Sequence, residues 1–276
     1  MEIRFGNSPT ETKGMNTVQL RTNFLLENIM TNNRVTCTYS HYDRAIIGGV
    51  KPSTETVTLE NYEELKSKFF LERREIGIIN VGNTGKITAD GETHTLNKLD
   101  CLYLGRGTEN VEFSSNSADE PASFYFMSVP AHHKYPNTFM AAADASPVEM
   151  GDKSTSNERI IYKYIHLDGI KSCQLVMGLT ILKDGSVWNS VPPHTHTRRM
   201  EAYFYFDVPA EHQVFHYMGE PQETRHLAVK NHEAVISPPW SVHFGCGSTN
   251  YAFIWAMAGE NQVFSDMDQC AISELL

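Results

Sequence analysis

The chain has no apolar run approaching the ~20 residues that a bilayer-spanning helix needs, although 41% of its 276 residues are hydrophobic. The opening segment MEIRFGNSPTETKG has no apolar stretch behind a basic start, so no secretory leader is expected. Basic residues are few: 23 Lys and Arg stand against 33 Asp and Glu, a formal charge of −10. That balance argues against nucleic acid or an anionic membrane surface as a partner. No C-x-x-C pair occurs. The five cysteines (Cys37, Cys101, Cys173, Cys246 and Cys270) are odd in number and widely spaced, which fits reduced thiols in a cytoplasm rather than a disulfide framework. Helical periodicity is also scarce. It predicts one N-terminal helix over 16–30, capped by Asn16 or Thr17, and a short one over 59–70.

What is abundant is the short alternating strand. EIGIINVG (75–82), GKITADGETHTL (85–96), DCLYLGRG (100–107) and ASFYFMSVPA (122–131) are separated by turn residues. The second half repeats the style in SCQLVMGLTILKDGSVWN (172–189), MEAYFYFDV (200–208), QVFHYMG (213–219), HEAVISPPWSVHFGCG (232–247) and NYAFIWAMAG (250–259). This spacing predicts an all-β sandwich or barrel. Arg73-Arg74-Glu75 before one strand echoes Arg198-Arg199-Met200-Glu201 before another, and Asp100 and Glu233 each open a later apolar strand. Two related β units are therefore expected, with the polar stretch 132–160 as linker. We divide them as 1–140 and 141–276.

One constellation carries chemistry. In Pro-Pro-His194-Thr-His196 the two histidines, two residues apart, share a strand face with Cα atoms ~6.6 Å apart. Glu201 follows after a turn or bulge within 197–200, and His243 lies in a separate strand context after Pro238-Pro239-Trp240. Three neutral imidazoles and one carboxylate suit a divalent zinc, iron, nickel or manganese ion. The isolated His41, His132, His133, His166 and His232 are expected to be ordinary surface or core residues. From Glu201 onward, alternation puts Tyr203 and Tyr205 on the metal side, with Arg199 across the turn. Glu223 in GEPQETRH is a free carboxylate suited to a general base, and Arg225 or His226 beside it could bind an anion.

Residues 185–201 resemble the first cupin motif, although the gap from Gly185 to His194 is longer than usual. Residues 236–250 resemble the second, from Pro239 through His243 to Asn250. The first unit keeps Glu75 but has no H-x-H before it and no histidine near 107–112, so it looks like a cupin that lost its metal. Longer strings carry a closer likeness: YSHYDR (39–44), FLERREIGIIN (70–80), PAHHKYP (130–136), TSNERIIYKYIHLDG (155–169), HTHTRRMEAYFYFD (194–207), MGEPQETRHLAVKN (218–231) and MAGENQ (257–262). Over nearly its whole length the chain resembles the 5-keto-4-deoxyuronate isomerase family, the 4-deoxy-L-threo-5-hexosulose-uronate ketol-isomerases of pectin and uronate breakdown. The resemblance implies two cupin (jelly-roll β-barrel) units in one chain with a short N-terminal helix. It also implies one zinc per chain on His194, His196, Glu201 and His243, a deoxy-keto-uronate substrate, and a hexameric homo-oligomer. The implied reaction is a metal-assisted aldose–ketose interconversion through an enediolate, yielding 3-deoxy-D-glycero-2,5-hexodiulosonate. Glu223, Tyr205 and Arg199 are the candidate catalytic side chains. An iron-dependent cupin oxygenase and a non-catalytic sugar-binding bicupin are the competing classes.

Overall fold

A computed structural model describes all of residues 1–276, and its strands fall into two repeats of one plan. In the first, a seven-stranded sheet runs Glu2–Arg4, Val35–Ser40, Ile46–Val50, Phe124–Pro130, Arg74–Asn80, Cys101–Leu104, Thr138–Met140. It is partnered by a four-stranded sheet, Val57–Thr58, Val111–Ser115, Gly85–Ala89, Glu92–Leu96. The second repeat has a seven-stranded sheet in the order Val148–Met150, Arg159–Ile165, Val176–Leu182, Ala252–Gly259, Arg199–Phe206, Ala234–Ser237, Leu25–Leu26. Its four-stranded partner is Trp188–Asn189, Phe244–Gly247, Val214–Glu220, Glu223–Val229.

Alternation along each strand sorts the side chains into three cores. Ile76, Ile78, Phe113 and Phe124 fill the first barrel. Val176, Tyr203, Tyr205, Phe253 and Trp255 fill the second. The opposite faces of the two large sheets pack on each other through residues such as Met127, Met177, Ala202 and Ile254, and Tyr125 stacks on Phe204 with ring centroids 4.6 Å apart. Each fully buried aromatic there contributes roughly 2–3 kcal/mol by area, so the two barrels share an extensive, largely apolar seam.

The N-terminal helix forms over Thr17–Phe24, with the Asn16 side chain accepting from the Gln19 N–H and the Gln19 side chain answering at the cap. It stops earlier than the expected residue 30. Leu25 and Leu26 bury opposite faces, Leu25 in the second barrel and Leu26 in the seam, which an extended strand beside Val235 and Ala234 allows. This segment therefore attaches to the second repeat, across the boundary expected at 140/141. The helix expected over 59–70 is only a single turn, Glu63–Leu65. Its would-be carbonyl acceptors are taken elsewhere: Arg73 donates to Leu65 O and Lys66 O, and Asn61 to Ser67 O. The stretch 132–160 supplies the edge strands Thr138–Met140 and Val148–Met150 as well as linking the repeats.

Hydrogen bonds fix how the repeats align. The Leu99 N–H donates to Asn80 O, and the His232 N–H to Tyr205 O; both donors sit at left-handed φ, 75° and 63°. Directly after them, the Asp100 carboxylate accepts from Asn97 N and the Glu233 carboxylate from Lys230 N. Asn80 thus matches Tyr205, so Ile76 matches Glu201 and Glu75 matches Met200. The echo read from sequence paired Glu75 with Glu201, one residue out, and a one-residue slip exchanges faces. Glu75 does not face the first barrel's interior. It lies in the seam, fully buried, accepting from the backbone N–H groups of Cys173 (2.7 Å), Gln174 (3.0 Å) and Leu175 (3.1 Å) and from the Tyr103 hydroxyl (2.8 Å).

Candidate metal centre

His194 lies in a two-residue strand, His194–Thr195, paired with Asp268–Gln269 near the C-terminus. His196 ends that strand at a tight turn in which the Arg199 N–H donates to His196 O at 3.0 Å. The turn delivers the chain into Arg199–Phe206, where Glu201 faces the barrel interior opposite Ser237 and Met257. His243 enters just before Phe244–Gly247, on the other sheet. All four side chains are buried, and their potential ligand atoms lie within 4.8 Å of one another.

The contacts inside this cluster fit a cation. Nε2 of His243 is 3.0 Å from Nε2 of His194 and 2.9 Å from Oε2 of Glu201, which in turn is 3.0 Å from Nε2 of His196. The far nitrogens are already engaged. Nδ1 of His196 meets Arg199 O at 2.9 Å, and Nδ1 of His243 meets Ser241 O at 3.1 Å. A backbone carbonyl can only accept, so each Nδ1 carries the proton and each Nε2 turns a lone pair inward. Burial, and then the His243 imidazole beside it, push His194 down to about 3, which keeps it in the neutral form a metal requires. Burial alone would raise the Glu201 carboxyl; His243 and His196 instead hold it well below the usual carboxylate range. Three inward nitrogens and one anionic oxygen on buried side chains make a donor set that a divalent ion satisfies.

The cluster is not sealed. His194 and Glu201 form part of the wall of a cavity of about 250 Å³, together with Tyr203, Ser190, Arg159 and Gln269. The apolar wall is Ile161, Phe253, Trp255, Met257, Phe264 and Met267. The Tyr203 and Ser190 hydroxyls are 2.9 Å apart. Burial, and then the Glu201 charge, raise Tyr203 well above the ordinary phenol value, so it keeps its proton.

The other sequence candidates lie elsewhere. Tyr205 is one row deeper than Tyr203, its hydroxyl 2.8 Å from Nδ1 of His216, and does not reach the cavity. Arg199 is fully buried but turned away from the cavity, donating to Val263 O (2.9 Å) and Asp266 O (2.8 Å). It holds the segment 261–270, a strap that brings Phe264, Met267 and Gln269 to the cavity. Glu223 is 2.6 Å from Arg225 at a separate shallow cleft beside Lys13 and Trp240. Glu223 does not line the cavity at the quartet: its carboxylate is paired with Arg225 at that other cleft, and the hairpin that carries it begins beside Ser241 and Val242, where the Val242 N–H donates to Gly219 O. Sequence reasoning missed Arg159, Ser190 and the strap. Arg159 and Ile161 alternate onto the cavity face of one strand, the only local signal for the arginine.

Two closed β repeats, with a carboxylate and three imidazoles converging inside the second alone, define a bicupin with one metal-competent barrel. The chain belongs to the KduI/IolB family, whose model matches residues 24–273. It is 51% identical over 275 residues to the 4-deoxy-L-threo-5-hexosulose-uronate ketol-isomerase of Shouchella clausii, and 50% identical over 275 residues to that of Caldicellulosiruptor bescii, with all of each chain covered. The Yersinia pestis enzyme of the same name is 51% identical over 277 residues, again with full coverage of both. Among solved structures, an IolB-like protein of Salmonella typhimurium superposes with a TM-score of 0.70 at 13% identity, covering 90% of this chain and 97% of that one. Bacillus subtilis oxalate decarboxylase superposes at 0.54 and 10% identity over 81% and 70%. These two likenesses establish the bicupin fold alone.

Proposed function

We propose that the chain is a ketol-isomerase converting 4-deoxy-L-threo-5-hexosulose uronate to 3-deoxy-D-glycero-2,5-hexodiulosonate, with one zinc ion on His194, His196, Glu201 and His243. One observation carries the reading: a chain half-identical end to end to enzymes of that name puts an open-sided quartet of three imidazoles and one carboxylate on the wall of a small cavity. A donor set of three nitrogens and one oxygen with one side free suits catalytic rather than structural zinc.

The reaction moves a carbonyl to the neighbouring carbon, and its obstacle is the weakly acidic C–H on that neighbouring carbon, whose proton must be carried to the former carbonyl carbon. When bound, the cation supplies Lewis-acid polarisation of the substrate's carbonyl oxygen. The chain supplies the rest. Tyr203, holding its proton and paired with Ser190, donates a hydrogen bond to whichever substrate oxygen gains charge. With His194 and Glu201 committed to the cation, the cavity-wall groups left to carry a proton are the hydroxyls of Tyr203, Ser190 and Thr180 and the water they hold. Phe253, Trp255, Met257 and Phe264 exclude bulk water, which strengthens each of these interactions. Glu223 has no part in this assignment.

The hexamer and the cytoplasmic location belong to the same reading. Five free cysteines support a reducing compartment. The test is proton NMR of the metal-assayed protein mixed with the deoxy-keto-uronate released by an unsaturated oligouronide hydrolase. Loss of the aldehyde signal and growth of a hydroxymethyl signal, dependent on metal, is the expected result. No conversion at full zinc loading overturns the assignment, and oxygen consumption with Fe(II) in its place supports the oxygenase.

A further inference from the structure

The quartet explains how a carbonyl end is held but not how the cavity selects an acid. The protein carries a formal charge of −10, so an anionic ligand meets net repulsion unless something local reverses it. Among the residues on the cavity wall, Arg159 is the only lysine or arginine. It opens the strand Arg159–Ile165, which lies three strand steps from Arg199–Phe206 in the same sheet. At about 4.8 Å per step this is roughly 14 Å laterally, a span that an extended arginine and a six-carbon sugar acid can share.

Arg159 is also without a counter-ion. Its one hydrogen bond to the protein runs from Nη1 to Asn157 O at 2.8 Å, and no carboxylate comes within 4.0 Å of it. Every other arginine at this end of the barrel is engaged: Arg198 by Asp266 and Asp268, Arg199 by two carbonyls. Partial burial lowers the Arg159 guanidinium from its usual value, as expected for a half-buried cation without a carboxylate partner. The free Nε and Nη2 present a planar fork, the geometry that receives a carboxylate through two parallel hydrogen bonds.

We infer that Arg159 is the carboxylate anchor of the cavity: it binds the C6 carboxylate of the uronate, fixes the opposite end of the chain at the quartet, and selects uronates over neutral sugars. The inference rests on the ketol-isomerase reading for its substrate, but the residue's preference for carboxylates is testable without turnover. Two measurements on the full-length, zinc-loaded protein separate the two claims. The first follows the fluorescence of the tryptophans, one of which (Trp255) lines the cavity, during titration with D-glucuronate and with neutral D-glucose. Wild type is expected to favour glucuronate by at least ~10-fold, Arg159→Gln to lose that preference, and Arg159→Lys to retain part of it. The second is steady-state turnover, in which Arg159→Gln raises KM at least ~30-fold with kcat changed less than ~5-fold, while zinc content and thermal melting stay native. If wild type turns over no uronate yet binds glucuronate through Arg159, the function fails and the anchor stands. If Arg159→Gln keeps the glucuronate preference, or Arg159→Lys and Arg159→Gln lose kcat and KM alike, the anchor is overturned.

Discussion

Replacing Arg199 by methionine keeps most of the side chain's buried volume and removes two charged donors from the strap carbonyls of Val263 and Asp266, now 2.9 and 2.8 Å away. A hydrogen bond to a charged group contributes about 1.5–3 kcal/mol. Two offsets apply: the freed carbonyls can turn to water, and the variant no longer buries a guanidinium whose Nε has no partner. A net loss of about 2–3 kcal/mol in strap docking is therefore expected, or roughly 30- to 150-fold more frequent opening. Hydrogen exchange read by mass spectrometry on the peptide covering 261–270 should accelerate by that factor. The amides to watch are those of the Asp268–Gln269 pairing with His194–Thr195 and Cys270 N, which donates to Pro193 O. KM should rise, because Phe264, Met267 and Gln269 leave the cavity wall with the strap, while zinc content changes little, because the strap contributes no member of the quartet. The part-exposed pairs of Arg198 with Asp266 and Asp268 are weak by comparison, so Arg198→Ala should show at most a few-fold change. Unchanged exchange in the strap together with a collapse of kcat would refute this account and return Arg199 to the reacting groups.

Three further outcomes follow from the geometry. Tyr203→Phe should lower kcat about 100-fold with zinc retained, whereas Glu223→Gln, at a separate cleft, should leave turnover within about 2-fold of wild type; the reverse pattern would move proton transfer out of the cavity. Glu75→Gln keeps the shape but exchanges one of two acceptor oxygens for a donor facing the N–H groups of Cys173, Gln174 and Leu175, so a loss of about 3 kcal/mol is expected, seen as a melting point lower by roughly 6–12 °C. His232 is pushed down to about 4, first by burial and then by Lys51, with Asp207 opposing and Lys98 adding to the repulsion. Because the unfolded chain binds that proton from about pH 6.5 downward and the folded chain only near 4, the neutral imidazole's contribution is complete above about pH 6.5 and is lost as pH falls toward 4. His232→Asn, which tolerates the left-handed backbone there, should flatten that part of the pH–stability curve in urea titrations, and an unchanged slope would exclude His232 as its source.

The legible parts of the sequence were those whose meaning is local. His194 and His196 sit two residues apart, Glu201 follows at the start of a strand, and strand alternation then carries Tyr203 to the cavity without any knowledge of the tertiary fold. Where two elements far apart in sequence decide, the reading ran out. Alternation gives Tyr205 the same face as Tyr203, yet it lies a row deeper, against His216. Arg199 also shares that face, but beyond the quartet, where a strap some sixty-five residues away covers it. Glu223 looked free only because its partner is two residues along the same strand, at a cleft separate from the cavity. The helix expected over 59–70 had the right apolar spacing, but Arg73 captures the carbonyls it needs.

The duplicated motif misled in the most instructive way. Aligned on its arginines, the first repeat offers Glu75 as the remnant of a metal ligand; aligned on the hydrogen bonds of Leu99 and His232, it offers Ile76. An isoleucine there completes an apolar core with Ile78, Phe113 and Phe124, so the first barrel is filled rather than vacant. Glu75, one position along, is aimed into the seam, where a carboxylate is tolerated only because four donors meet it. Three of those donors belong to the loop Cys173–Leu175, and the same loop accepts from the strap: Gln262 donates to the Ser172 hydroxyl and to Leu175 O. A continuous chain of contacts thus runs from the first barrel, through Glu75 and this loop, to the strap over the cavity of the second. A barrel without a metal centre can in this way hold part of the other barrel's site in place, which gives the solid first repeat a role that its own interior does not reveal.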